Sequence, residues 1–149
     1  MTGWRLGYMA GPKVFMTEIA KVQSHSITHA TSFAMAGAVA ALNGPQESIG
    51  EMVHAWDRRR KLVSDGLNSI QGISYTPAEG AFYAFPDIRG TGMSSMVFAD
   101  RALTDADVAV VPGNAFGDAG EGFVRMSFAT SDEILQKMID RLSNWLGTR

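Results

Sequence analysis

The sequence predicts an α/β fold, and three observations carry that prediction. Beyond residue 70, short apolar segments bounded by Gly and Pro alternate with stretches of helical periodicity, the pattern of layered strands and helices. Residues 46–70 hold the longest periodic run, a single long helix. Before residue 45, one strand-like segment is followed by two very apolar helices, too little sheet to cover them. That imbalance predicts that the N-terminal residues belong to a larger domain that the chain does not contain in full.

The elements follow in order. Residues 4–10 alternate as a short buried strand, with Arg5, Gly7 and Met9 on one side, and Gly11-Pro12 ends it. Residues 13–24 read as a helix with Val14, Phe15, Ile19 and Val22 inward, its first turn set by Pro12. Residues 31–42 are Ala-rich and apolar nearly all round, which predicts a helix covered on most sides, as at a subunit contact. Asn43-Gly44-Pro45 stops that helix, and the 46–70 helix carries Ile49, Met52, Val53, Trp56, Val63, Leu67 and Ile70 at helical spacing. Strands are expected at 73–76, 81–86, 108–111 and 123–129, the last with Val124, Met126 and Phe128 on one face. A helix is expected at 94–105. A final helix starts at the capping-box pattern Thr130-Ser131-Asp132-Glu133 and buries Leu135, Met138, Ile139, Leu142 and Leu146, with Gly147 at its end.

Composition narrows the function. At 149 residues, 46% hydrophobic and 19% charged, the chain can bury a sizeable core. Thirteen Lys and Arg against 15 Asp and Glu give a net charge of −2, so no footprint for nucleic acid or an anionic membrane stands out. The lack of cysteine excludes disulfides and thiol catalysis and fits a reducing, cytoplasmic compartment. Residue order at the N-terminus is not that of a signal peptide, and no apolar run approaches the roughly 20 residues of a membrane helix. The nine methionines read as core filler.

Two lone cations pose the chemical question. Arg5 and Arg125 each sit in an apolar strand-like segment, where a guanidinium is expensive to bury without an anion. Arginine meets a carboxylate or phosphate with a planar fork, so each is paired with an internal acid, meets a bound anion, or snorkels to water from a strand end. The Gly-rich stretch 113–122 lacks the Gly-Lys-Ser/Thr end of a P-loop and contains acids, which favours a mobile loop joining two strands. His25 and His29 lack the glutamate of a metalloprotease helix, so no metal is expected. The cluster Arg58-Arg59-Arg60-Lys61 fans around a helix and reads as a solvated face.

Five stretches together resemble the C-terminal part of a class I aminotransferase, the fold-type I pyridoxal-phosphate (PLP) enzymes, near the aspartate aminotransferase subgroup. They are MTGWRLGY at 1–8, TSFAMAGAVAAL at 31–42, PAEGAFYAFPDI at 77–88, VAVVPGNAFG at 108–117 and EGFVRMSFATS at 121–131, in family order. The resemblance implies the C-terminal part of the PLP-dependent transferase fold. In it, residues 1–45 end the large cofactor domain, 46–70 form the interdomain helix and 71–149 make the small α/β domain. It implies that Arg5 grips the cofactor phosphate and that Arg125 binds the substrate α-carboxylate, with Phe82 and Tyr83 near the substrate. Thr28 and His29 would approach the neighbouring subunit's site in a homodimer, although many relatives read Asn-Pro where this chain has His29-Ala30. The Schiff-base lysine of the family would fall just upstream of Met1, so the expected catalytic residue is absent and the chain alone is expected to be inactive. Lys13 lies on the wrong side of Arg5 to replace it. The implied activity of a full-length protein is amino transfer between an amino acid and a 2-oxo acid. A carbon–sulfur lyase, an aminocyclopropane-carboxylate synthase relative and the effector domain of a transcription regulator share these motifs.

Overall fold

The computed structural model describes residues 1–147, which fall into two units, Met1–Ser48 and a second from Ile49 onward. The first unit opens with one 3-10 turn, Thr2–Trp4, in place of the strand expected over 4–10. Arg5 closes that turn in the left-handed region at φ 53°, its N–H donating to the Thr2 carbonyl at 3.2 Å. A strand needs a neighbour to take its N–H and C=O groups. The described residues of this unit contain no other strand, so the alternation around Arg5 has no ladder to join. Arg5, Gly7 and Met9 are accordingly exposed instead of buried.

Helices α1 (Lys13–Ser26) and α2 (Ser32–Asn43) form where the sequence places them, with Pro12 before α1 at φ −56°. Their faces are another matter. Val14, Phe15, Ile19 and Val22 are all exposed, and α2 buries only Ala34. Helical periodicity selects which residues share a face, but burial needs a second layer, and this unit holds no sheet. Its clearest internal contact sets the Trp4 ring edge-on to Phe33 at 5.9 Å.

The second unit is built differently. Helix α3 (Glu47–Asn68) lies almost wholly within it and is buried only along its later half: Ile49, Met52 and Val53 are exposed, whereas Val63 and Leu67 are covered, as is Ile70 beyond its end. Three short strands, β1 (Tyr83–Ala84), β2 (Val111–Pro112) and β3 (Val124–Ser127), form a sheet in the order β1-β3-β2. Because β3 is antiparallel to both neighbours, β1 and β2 run parallel, linked by α4 (Ser95–Ala106) with β3 inserted between them. Helix α5 (Asp132–Gly147) completes the core. Leu67, Ile88, Phe98, Val124, Phe128, Leu135 and Leu142 are each at most 2% exposed. Val124, Met126 and Phe128 face inward as their alternation predicts, while Leu146 is only half-buried and Trp145 takes the deeper place, its ring edge-on to Phe98 at 5.3 Å.

The strands are shorter than their apolar runs, for identifiable reasons. Over 73–76 the Asn68 side chain accepts from the Tyr75 N–H at 2.8 Å and donates to its carbonyl at 2.9 Å. Those bonds stand in for a ladder, leaving one bridge, Ser74 to Asp87. The 81–86 run begins with Ala81 in the left-handed region at φ 61° and ends at buried Pro86, so only Tyr83–Ala84 pair regularly. Val108 belongs to a helix stop. Asp107 is left-handed at φ 52°, the Val108 N–H donates back to the Ala102 carbonyl at 2.9 Å, and the Val108 side chain seals the core. Strand β2 therefore starts at Val111. Its Pro112 lacks an N–H and sits on a sheet edge, where that donor is dispensable.

Helix α5 starts one residue later than the capping box implies: Ser131 Oγ, not that of Thr130, accepts from the Ile134 N–H at 3.4 Å. The Gly-rich stretch is tightly held. It makes two 3-10 turns, Gly113–Phe116 and Asp118–Gly120, whose backbones pack so closely that a Cβ on Gly113 or Gly120 would meet the other's carbonyl. Buried Ser95 accepts from the Gly122 N–H at 2.8 Å, and the Glu121 carboxylate accepts from the Ser95 N–H at 2.8 Å, fastening the loop to the start of α4.

Candidate active-site residues

Arg125 sits on β3, the central strand, paired with Val111. Alternate residues of a strand share a face, so Arg125 and Ser127 emerge opposite the core residues Val124 and Met126. Tyr83 is paired with Ser127 on the adjoining strand, which makes it the diagonal neighbour of Arg125 and within reach. The guanidinium carbon lies 4.6 Å from the Tyr83 ring centre and 4.7 Å from that of Phe116, delivered by the Gly113–Phe116 turn. Arg125 is half-buried, and among the described residues no carboxylate is paired with it. Two aromatic faces supply part of the missing compensation, about 0.5–1 kcal/mol each at such exposure. They leave the in-plane donors of the fork for another acceptor.

Arg5 shares that lack of an acidic partner among the described residues, but is exposed and has no flanking ring. Phe82 and Tyr83 pack with their rings tilted at 42° and 4.6 Å apart and are both over one-third exposed, so they form a surface beside Arg125 and not strand core. Thr28 follows α1 in the left-handed region at φ 70°, its N–H donating to the Gln23 carbonyl at 3.0 Å. A β-branched residue there carries strain of about 1–3 kcal/mol. His29 is exposed and its Nδ1 donates to the Ala30 carbonyl at 2.8 Å. Arg5, Thr28 and His29 belong to the first unit and Phe82, Tyr83 and Arg125 to the second.

The basic cluster of α3 is paired, not merely solvated. Arg58 and Arg59 meet Asp132 at 2.6 and 3.2 Å, and Arg60 and Lys61 meet Asp57 at 2.8 and 2.7 Å. Hydrogen bonds from Arg58, then Arg59, hold the Asp132 carboxyl below its usual range, as Lys61 and Arg60 do for Asp57 and Arg89 does for Asp87. Among the described residues no group of three or more His, Cys, Asp or Glu could hold a metal, and no helix is long and apolar enough to cross a membrane. Sequence reasoning missed Phe116 beside Arg125 and the stacking of Trp56 on Phe82. An aromatic within an otherwise small, polar loop was the signal for the first. Trp56 had none, since its helical spacing matches that of a core residue.

The sequence model of the family described as aminotransferase class I and II matches residues 1–142, and the chain belongs to that family. An aspartate aminotransferase of Pyrococcus abyssi is 43% identical over 148 residues, and an aspartate/prephenate aminotransferase of Nitrosomonas europaea 41% identical over 157. Each alignment covers 98% of this chain but only 38% and 39% of the relative. Among solved structures, the aromatic aminotransferase of Pyrococcus horikoshii superposes over the whole chain with a TM-score of 0.91 at 43% identity. The aspartate aminotransferase of Rhizobium meliloti gives 0.87 at 39% identity. The chain spans 40% and 39% of those two structures. These likenesses establish the aminotransferase fold, and the relatives named are aminotransferases, which does not favour a lyase, a synthase or a regulator domain.

Proposed function

We propose that these residues serve a full-length, cytoplasmic, homodimeric aminotransferase as its C-terminal part, with Arg125 binding the α-carboxylate shared by the amino acid and the 2-oxo acid. The carrying observation is the half-buried Arg125 guanidinium with rings at 4.6 and 4.7 Å and no carboxylate among the described residues. The planar fork keeps its in-plane N–H donors, so a carboxylate that meets two of them is fixed in orientation as well as place. Fixing the carboxylate limits the rotations that the bond to Cα must sample, which is catalysis by positioning. Phe82 and Tyr83 line the approach, Tyr83 against the Arg125 guanidinium and Phe82 against Tyr83.

The family implies PLP, which when bound supplies an electron sink for the carbanion formed at Cα. Arg5 fits its phosphate, because it is an exposed cation that no acid among the described residues pairs with. The family resemblance implies that the lysine holding the cofactor lies upstream of Arg5, and Lys13, which opens α1 beyond the turn at Pro12, lies on the other side of it. Residues 1–45, 46–70 and 71–149 are then the end of the large domain, the interdomain helix and the small domain. Thr28 and His29 are assigned to the edge of the neighbouring subunit's site, and the strain at Thr28 supports a constrained role.

The test uses the full-length protein that carries this segment. Arg125→Lys keeps the charge and loses the fork, and it is expected to raise KM for the amino acid and the 2-oxo acid by about 10–100-fold. Unchanged KM values would overturn the assignment. The 149-residue chain alone is expected to show no amino transfer, and pyruvate with ammonia as the products of the full-length protein would instead indicate a lyase.

A further inference from the structure

We infer that Trp56 and Arg59 on α3 are positioning residues for Arg125, acting through a continuous ladder of rings, an inference that rests on the carboxylate-binding reading of Arg125. The ladder begins at Asp132, whose carboxylate takes a hydrogen bond from Arg59 Nε at 3.2 Å. The Arg59 guanidinium lies 5.3 Å from the centre of the Trp56 ring. Trp56 stacks on Phe82 at 5.6 Å and 27°, Phe82 packs on Tyr83 at 4.6 Å, and Tyr83 faces the Arg125 guanidinium at 4.6 Å. Each separation lies within the range over which ring pairs and cation–π pairs attract.

This ladder has work to do because the rings stand out from the sheet: the backbone is held, with the Phe82 carbonyl accepting from the Phe128 N–H at 2.9 Å, but the Phe82 and Tyr83 side chains are exposed above it. Strand β1 pairs through two residues only and is entered through Ala81 at φ 61°. Phe82 and Tyr83 are 36% and 38% exposed, so core packing does not hold their rings. Trp56 does touch the core: its ring meets Phe128, itself 2% exposed, edge-on at 6.0 Å. It is therefore the rung that ties the exposed pair to something immobile. Arg59, half-buried and held by Asp132 at the start of α5, packs its guanidinium over the Trp56 ring. Loss of Trp56 would free Phe82, then Tyr83, and leave Arg125 flanked by Phe116 alone.

Two measurements test this. In the 149-residue chain, ring currents from Tyr83 and Phe116 are expected to shift the NMR signal of the Arg125 Nε–H away from that of a free arginine. Trp56→Leu should move that signal toward the free position, Trp56→Phe should retain it, and Arg59→Gln, a milder change on the outer face of α3, should move it part of the way. In the full-length enzyme, assayed with L-aspartate or L-phenylalanine and 2-oxoglutarate, Trp56→Leu should raise KM for both substrates about three- to tenfold with a smaller change in kcat. In an Arg125→Lys background the same change should have little further effect. An Arg125 signal indifferent to both Trp56→Leu and Arg59→Gln, or KM effects that simply multiply, would overturn the ladder. An Arg125→Lys enzyme of normal KM would instead overturn the carboxylate reading, and the ladder's kinetic role with it.

Discussion

The two units carry the same kind of sequence and reach different structures. In the second, the apolar faces of α3, α4 and α5 close on a three-stranded sheet, and Phe98, Leu67 and Leu142 lose their contact with water completely. In the first, two helices with equally apolar sequences leave Phe15, Val22, Phe33 and Leu42 more than 60% exposed. The difference lies in whether the chain supplies the opposing layer. The arginines follow suit: Arg125 has a platform built by its own unit, whereas Arg5 stands on a single turn.

The largest effect that would sharpen this contrast comes from paired truncations in the 149-residue chain. Phe98→Ala empties a sealed core position and should destabilise by about 3–5 kcal/mol in urea denaturation. Phe15→Ala removes a ring of the same size from an exposed face and should change stability by no more than about 0.5 kcal/mol. A comparable loss from both would break the comparison.

Backbone packing offers the next test. Gly113→Ala drives a methyl group against the Gly120 and Phe123 carbonyls, and should lower stability by about 1–3 kcal/mol while displacing Phe116 from Arg125. Gly50→Ala, within α3 and with nothing near its added Cβ, should raise stability by about 0.5–1 kcal/mol through helix propensity. Thermal melts of the two variants should therefore shift in opposite directions. The same sign for both would mean that the 113–122 turn is looser than its contacts indicate.

The smallest effect is electrostatic. The Asp132, Asp57 and Asp87 carboxyls are held below their usual range by neighbouring Arg and Lys residues. A carboxyl depressed in the folded state favours folding above its unfolded pKa and loses that contribution as pH falls through its folded value. Stability should thus decline modestly below about pH 4, and Asp132→Asn should remove part of that decline. Because the pairs are no more than half-buried, added salt should weaken the dependence. An undiminished slope in Asp132→Asn would place the acid sensitivity elsewhere.

Much of the fold was legible. Helix positions followed from periodicity, and the inward set Val124, Met126 and Phe128 from alternation, because both are local properties of backbone geometry. The strand ends were not legible. The side chain that satisfies Tyr75 comes from Asn68, and the stop at Val108 depends on a left-handed Asp107. Nor was burial around Arg5 legible, since alternation implies a strand only where a neighbouring strand exists.

For the candidate site, sequence alone singled out Arg125 and Arg5 as lone cations needing an anion, because an apolar segment makes a charge conspicuous wherever it folds. It could not exclude an internal acid, since ion pairs join residues far apart in the chain, as Arg58 and Asp132 do. Tertiary structure decided that neither arginine has such a partner among the described residues, and it set Tyr83, Phe116 and Trp56 in one run of contacts around Arg125 and Phe82. Those three lie on a strand, a turn and a helix, and only the packing of the second unit sets Tyr83 and Phe116 beside Arg125 and joins Trp56 to Tyr83 through Phe82.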